Sequence, residues 1–432
     1  MAEVAAMPKY EVYKDSGVEW LGEIPKHWEV SPLCSKATLK SITDKVDEEL
    51  LSVYLDKGVI RFRDVESKRT NVTSLDLSKY QLVEVGDFVL NNQQAWRGSV
   101  GVSDYQGIVS PAYLILKLSE EINPKFGNYF FRDGNMVSQY LICSKGVGTI
   151  QRNLYWPQLK RVSIALPPVV EQIAIANFLD KKTAQIDEAI IIKEKQIELL
   201  KERKQIIIQQ AVTQGVSYEG QPDVAMKDSG VDWIGEIPEH WEVIPGFTAF
   251  KENKSSNRGM LESRVLSLSY GKIVVKPKEK LTGLVPESFE TYQLVKAGDI
   301  IIRGMDLQND KTSLRTAIAR DSGIISSAYL NLNILNNHVP EFLYYFLHTM
   351  DTTKAIYKLG TGLRQNLSFN DFKHLPVLKC PKNEQENIID EIKSISRKVS
   401  EVITLQKNYI NKLKEYKTTL INSAVTGKIK VS

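Results

Sequence analysis

The residue types in this chain that could do chemistry are those that grip nucleic acid. Lys57, Arg61, Arg63, Lys68 and Arg69 crowd one polar stretch, and Asn92, Gln93 and Arg97 follow in another. Lys272, Lys276 and Lys278 form a third, and Arg303 and Arg315 bracket a fourth. Cationic side chains neutralise phosphates, whereas Arg, Asn and Gln make two-point hydrogen bonds to guanine or adenine edges in the major groove. Two glycine loops, Lys145-Gly-Val-Gly-Thr-Ile-Gln-Arg152 and Leu359-Gly-Thr-Gly-Leu-Arg364-Gln365, place Arg152, Arg364 and Gln365 beside bare backbone. The third glycine of a dinucleotide fingerprint is missing. Each loop therefore reads either as a structural turn or as a close approach to nucleic acid.

Catalytic chemistry finds no comparable footing. None of the histidines His27, His240, His338, His348 and His374 has ligand or triad spacing with Cys, Asp or Glu, and Cys34, Cys143 and Cys380 are too scattered for a zinc or redox pair. Neither an Asn/Asp-Pro-Pro-Tyr/Phe methyltransferase motif nor a phosphate-binding Gly-x-x-x-x-Gly-Lys-Ser/Thr loop occurs. Glu66-Ser-Lys68 resembles a fragment of a metal-dependent nuclease site, but the second half has Glu279 and Leu281 there, so the lysine is lost. The expectation is a chain with no catalytic residues, no metal and no cofactor of its own. The net charge is only +4, so any basic surface must be local. No apolar run of membrane-spanning length and no signal peptide stand out, which gives a cytoplasmic expectation with no membrane partner.

The elements that must position these residues come in duplicate. Lys14–Val30, KDSGVEWLGEIPKHWEV, returns 213 residues later as Lys227–Val243, KDSGVDWIGEIPEHWEV, with 14 of 17 positions identical. Its two tryptophans, Trp20 and Trp28 against Trp233 and Trp241, read as a structural plug at a domain entrance. Tyr80-Gln-Leu-Val-Glu-Val-Gly86-Asp87 answers Tyr292-Gln-Leu-Val-Lys-Ala-Gly298-Asp299, and Gly107-Ile-Val-Ser-Pro-Ala-Tyr113 answers Gly323-Ile-Ile-Ser-Ser-Ala-Tyr329. Each pair opens a strand-like apolar run. Between these matched frames the halves diverge, Lys57–Arg69 against Tyr270–Thr282 and Asn91–Tyr105 against Arg303–Asp321. The divergent stretches are the ones rich in Arg, Lys, Asn and Gln. They are either two unlike nucleic-acid grips on one scaffold or solvated loops that drifted after duplication.

Each half closes with a long helix. Pro168-Val-Val-Glu171-Gln172 and Pro381-Lys-Asn-Glu384-Gln385 put proline and acid at the start, and Gly215 and Gly427 stop the pattern. Spans of 47 and 46 residues correspond to roughly 70 Å of helix. Ile186, Ile190, Ile197, Leu200 and Ile207 in the first, and Ile392, Ile395, Val399, Val402, Tyr409, Leu413 and Leu420 in the second, step as a coiled-coil seam. Lys193 and Lys204 interrupt the first stripe and Gln406 the second. The helices are expected to pair with each other, antiparallel, so that the chain closes with its start near its end. The fold class is α+β: a domain at 1–167, a spacer helix at 168–214, a second domain at 215–380 and a spacer helix at 381–432.

Taken together, the SGVEWLGEIPKHWEV signature, the GDFVL…GIVSPAY and GDIII…GIISSAY frames, the GxGxxQ loop, the Pro-x-x-Glu-Gln helix starts and the Ala-Val-Thr helix ends resemble the specificity subunit of type I restriction-modification enzymes. The resemblance covers nearly the whole chain. It implies two target recognition domains reading a bipartite asymmetric site on double-stranded DNA, with no catalysis in the subunit itself. It also implies docking of two methyltransferase subunits that bind S-adenosylmethionine, and of restriction subunits that use ATP and Mg. Ser327 departs from the first half's Pro111, which bears on the second turn's geometry. The rival expectation is a coiled-coil protein scaffold without DNA readout.

Overall fold

The computed structural model describes residues 7–55, 57–64, 76–146, 152–216, 224–277, 288–305, 307, 312–335, 338–359 and 366–431. They divide into two compact units, Met1–Lys193 with Lys407–Ser432, and Glu194–Gln406. Four helices organise them: α1 (Pro124–Phe131), α2 (Val169–Gln214), α3 (Pro340–Thr352) and α4 (Lys382–Val425). The unit boundary cuts α2 and α4 in mid-helix, so each unit is a globular lobe together with part of both long helices.

The two lobes repeat one topology. In the first, β1 (Ala37–Lys40), β2 (Leu51–Tyr54), β3 (Gly58–Arg61), β4 (Phe88–Asn91), β5 (Val100–Val102) and β6 (Tyr113–Leu118) include a four-stranded antiparallel sheet of order β1-β6-β4-β5, with β2 and β3 a separate hairpin. In the second, β7 (Phe250–Glu252), β8 (Leu266–Ser269), β9 (Lys272–Val275), β10 (Ile300–Ile302), β11 (Thr316–Ile318) and β12 (Leu330–Ile334) give the order β7-β12-β10-β11, with β8 and β9 the hairpin. The apolar runs after Gly86-Asp87 and Gly298-Asp299 are β4 and β10. Phe88, Val89 and Leu90, like Ile300, Ile301 and Ile302, are fully buried, as a strand covered on both faces requires.

The repeated signature explains the Pro-x-x-Glu-Gln motif. Trp28 is fully buried, and its indole N–H donates to Glu171 Oε1 at 3.1 Å while His27 Nε2 lies 2.7 Å from Glu171 Oε2. Trp241 and His240 hold Glu384 in the same way, at 2.9 Å each. Tyr10 adds its hydroxyl to Glu171, and burial together with that carboxylate pushes the phenol pKa up. The neighbouring glutamines are buried too. Gln172 accepts from Asn123 N, the N-cap of α1, and donates to Glu121 O and Pro167 O; Gln385 accepts from Val339 N, the N-cap of α3, and donates to Cys380 O. Each motif thus fastens a long helix to its plug through Glu and to the lobe's helix through Gln.

The plugs also receive the far ends of the helices. Gly427, φ +73°, follows α4 so closely on the first signature that an added Cβ would sit 2.4 Å from Pro25 Cδ; Gly215, φ +80°, lies beside Trp241 and Glu384 in the other unit. Lys430 N donates to Pro8 O at 2.7 Å, so within the first unit the segment after α4 meets the one before the first signature.

The long helices pair antiparallel. In the first unit Lys417 Nζ lies 2.6 Å from Asp187 Oδ2, and Lys193 Nζ lies 5.3 Å from the Tyr409 ring. In the second, Ile208 and Val212 share a core with Ile388 and Ile392. Ile186, Ile190, Ile197, Ile392 and Leu420 are buried, and Leu200, Ile207, Ile395, Val399 and Leu413 half-buried. Two expected seam positions are corrected: Val402 is 39% and Tyr409 53% exposed. The covered positions are Ile403, Gln406 and Ile410. One residue is about 100° of helical rotation, enough to turn a side chain out of the seam.

His348 of α3 sits buried in the second unit, its Nδ1 without a hydrogen-bond partner and its ring 5.6 Å from Tyr344. Burial, with the nearby Lys204 ammonium, pushes its pKa down to about 4. A base depressed on folding keeps full stability above the unfolded pKa of about 6.5 and loses it as pH falls toward the folded value. Between pH 7 and pH 5 this removes about 2 kcal/mol. Asp351, whose pKa burial raises, acts with the opposite sign. The check is therefore a difference: urea unfolding of the wild type should weaken over that range by more than that of His348→Leu.

Candidate nucleic-acid interface

In the first unit the expected residues Gln93, Arg97 and Arg152 meet around one indole, and Asn92 precedes them in the same turn. After β4 the chain turns through a short 3-10 segment, Ala95–Arg97, closed by Gly98. Trp96 Nε1 donates to Gln93 O at 2.9 Å, which fixes the ring over the turn. The Arg97 guanidinium lies 4.5 Å and the Arg152 guanidinium 5.9 Å from its centroid. Arg152 arrives because Ser144–Lys145 pairs with Asn153–Leu154, while Leu154 N donates to Asn92 O at 3.0 Å. The same pairing places Lys145 Nζ 3.8 Å from the Tyr155 ring. Stacked cations beside a Trp and a Tyr match a surface for phosphate and base edges. Trp96, Lys145 and Tyr155 were absent from the expected set. Their signal was the aromatic within a basic stretch, whose placement depends on a hairpin too short to show periodicity.

Arg61 and Arg63, from β3 and the turn after it, share one acid: their Nε atoms lie 3.4 and 3.1 Å from Glu49. Arg61 also covers the Tyr105 ring at 4.7 Å. Lys57 stands exposed at the hairpin tip, before Gly58 at φ +71°. Lys68 and Arg69 lie outside the described residues, as do Lys278, Arg364 and Gln365.

The second unit carries a different surface on the same frame. Lys272 and Lys276 are exposed on and just past β9, and Arg303 is half-buried after β10. Arg315 is corrected: it is 0% exposed and cannot touch DNA from there. Its Nη1 donates to Met305 O at 2.7 Å and Arg303 O at 3.1 Å, and its Nε to Tyr357 Oη at 3.2 Å. Asp351 accepts from the Arg315 and Thr316 backbone amides. A guanidinium has five donors and no acceptor, and here two backbone carbonyls and a phenol oxygen accept three of its hydrogen bonds. Sequence alone does not separate this pin from a DNA contact, because the residue type and loop are the same.

Among the described residues no group of three His, Cys, Asp or Glu is placed to hold a metal ion, and no helix is long and apolar enough to cross a membrane.

No protein-family model matches the chain. Two curated proteins of Methanocaldococcus jannaschii are similar over nearly all of its length. The type I restriction enzyme MjaVIII specificity subunit is 27% identical, covering 94% of each chain. A second protein, provisionally named the type I restriction enzyme MjaX specificity subunit, is 24% identical over 95% of this chain and 96% of its own. Among solved structures, a chain from work on complex assembly and conformational transition of a type I R-M system superposes with TM-score 0.63, covering 93% of this chain and 98% of the other at 14% identity. The HsdS subunit of Thermoanaerobacter tengcongensis gives TM-score 0.52 over 94% and 98%, also at 14% identity. Along nearly its whole length this chain is similar to type I restriction enzyme specificity subunits, and it has the fold of the solved ones.

Proposed function

We infer that this chain is the DNA sequence-recognition subunit of a type I restriction-modification system and is itself non-catalytic. The observation that carries the reading is the full-length likeness to specificity subunits, joined to one frame repeated twice with unlike basic surfaces. Residues 1–167 and 215–380 serve as target recognition domains, each reading one half of a bipartite asymmetric site. Residues 168–214 and 381–432 set the spacing and dock two modification subunits, which supply S-adenosylmethionine; restriction subunits supply the ATP- and Mg-dependent chemistry. The complex works on chromosomal DNA in the cytoplasm. Co-expression with companion modification subunits, followed by sequencing of modified bases, should return a single two-part motif with a fixed gap. Methylation without sequence preference would end this reading.

Arg97, stacked on Trp96, is assigned to base readout in the first half-site. Arg97→Ala should weaken binding by about 1–3 kcal/mol on the cognate first half-site and much less on mismatched DNA. An equal loss on all sequences, with the salt slope reduced by about one, would make it a phosphate contact instead.

A further inference from the structure

We propose that the β8–β9 hairpin enters the groove of the second half-site with Tyr270 at its tip, Tyr270 being a specificity-determining contact of that half. The proposal rests on the DNA-recognition reading above and adds to it a contact that is neither a cation nor an amide.

Tyr270 is 93% exposed and holds φ +47°, and Gly271 after it holds φ +72°. Ser269 pairs with Lys272, so these two residues alone make the turn, and positive φ at both is a type I′ turn. That turn prefers Asn or Asp at its first position, and a bulky aromatic in the left-handed region is strained. A ring left almost wholly in solvent on a strained backbone contributes little to the folded chain. Such strain persists where it serves a contact made with something else.

The hairpin beneath is two-faced. Leu266, Leu268 and Ile273 alternate onto the side joined to the lobe's small core, where Leu266 is buried. Ser267, Ser269, Lys272 and Val274 alternate onto the other, which Lys276 extends. Among the described residues neither lysine is paired with a carboxylate. A two-stranded antiparallel ribbon is one of the shapes the major groove admits. Lysines along its outer face would meet phosphates, and a Tyr at the tip offers a ring for thymine methyl groups and a hydroxyl for base edges. The tip is also braced, since a Cβ on Gly271 would lie 2.9 Å from Leu314, in the loop that Arg315 pins.

The corresponding hairpin of the first unit is built otherwise. β2 and β3 are largely buried, and the residue aligned with Tyr270 is Lys57. The two lobes therefore present different devices at one position of a shared frame, as two different half-sites demand.

The test uses the full chain assembled with its modification subunits. Tyr270→Asn should raise the melting temperature by roughly 2 °C, because the turn then has its preferred residue. It should also weaken discrimination at the second half-site about tenfold or more, with the first half-site motif unchanged. Tyr270→Phe, which keeps the ring, should retain most of the discrimination. Unchanged recognition in Tyr270→Asn overturns the proposal. So does loss of modification-subunit binding with half-site discrimination intact, which would make Tyr270 a protein contact. A wild-type complex without sequence preference would instead bring down the functional reading itself.

Discussion

Trp28→Ala should destabilise the first unit by roughly 3–5 kcal/mol, the range for deleting a fully buried large aromatic. The indole fills the plug, approaches Gly427 after α4, and donates to Glu171 in the first turn of α2. Its loss leaves a cavity at the place where the start of one helix and the end of the other are both held. Glu171→Gln separates the two effects: it keeps the volume but replaces a charge-assisted acceptor, and should cost about 1–3 kcal/mol. Trp241→Ala and Glu384→Gln should behave alike in the second unit, because the geometry repeats. Denaturant unfolding monitored by circular dichroism measures all four. A cost below about 1 kcal/mol for Trp28→Ala would mean that the signature is not a structural plug, and its duplication would then need a binding explanation.

Arg315→Met should cost roughly 1–3 kcal/mol, since removing an enclosed donor leaves its acceptors unsatisfied. Here the Arg303 and Met305 carbonyls and the Tyr357 hydroxyl lose their donor. The loop they form should then hold Arg303 less firmly, so recognition of the second half-site should fall while the salt dependence of binding stays as it was. The salt slope decides between the two roles. A phosphate contact would lower it by about one per charge removed, and a measured drop would return Arg315 to the interface.

Much of the fold was legible because the repeated features are local. A Gly-Asp turn before an apolar run, a proline and an acid at a helix start, and a glycine at its end each act within a few residues, and the duplication doubled every signal. The seam was legible to within one residue for most of its length. It failed at Val402 and Tyr409, where Ile403 and Ile410 compete for the stripe and only the partner helix decides which faces inward. The candidate site was legible in composition and not in geometry. Arg97 and Arg315 are the same residue type in equivalent divergent loops, yet one stacks on a surface indole and the other is enclosed.

By itself the sequence determined that there are two copies of one frame, that two long helices follow them, and that the halves differ in their polar stretches. Tertiary structure alone decided what the Glu-Gln pair at each helix start is for, which cations gather around Trp96, and that Tyr270 stands free while Arg315 does not. The reason is that periodicity and capping are short-range, whereas burial of a charge or exposure of a ring is set by segments far apart in the chain.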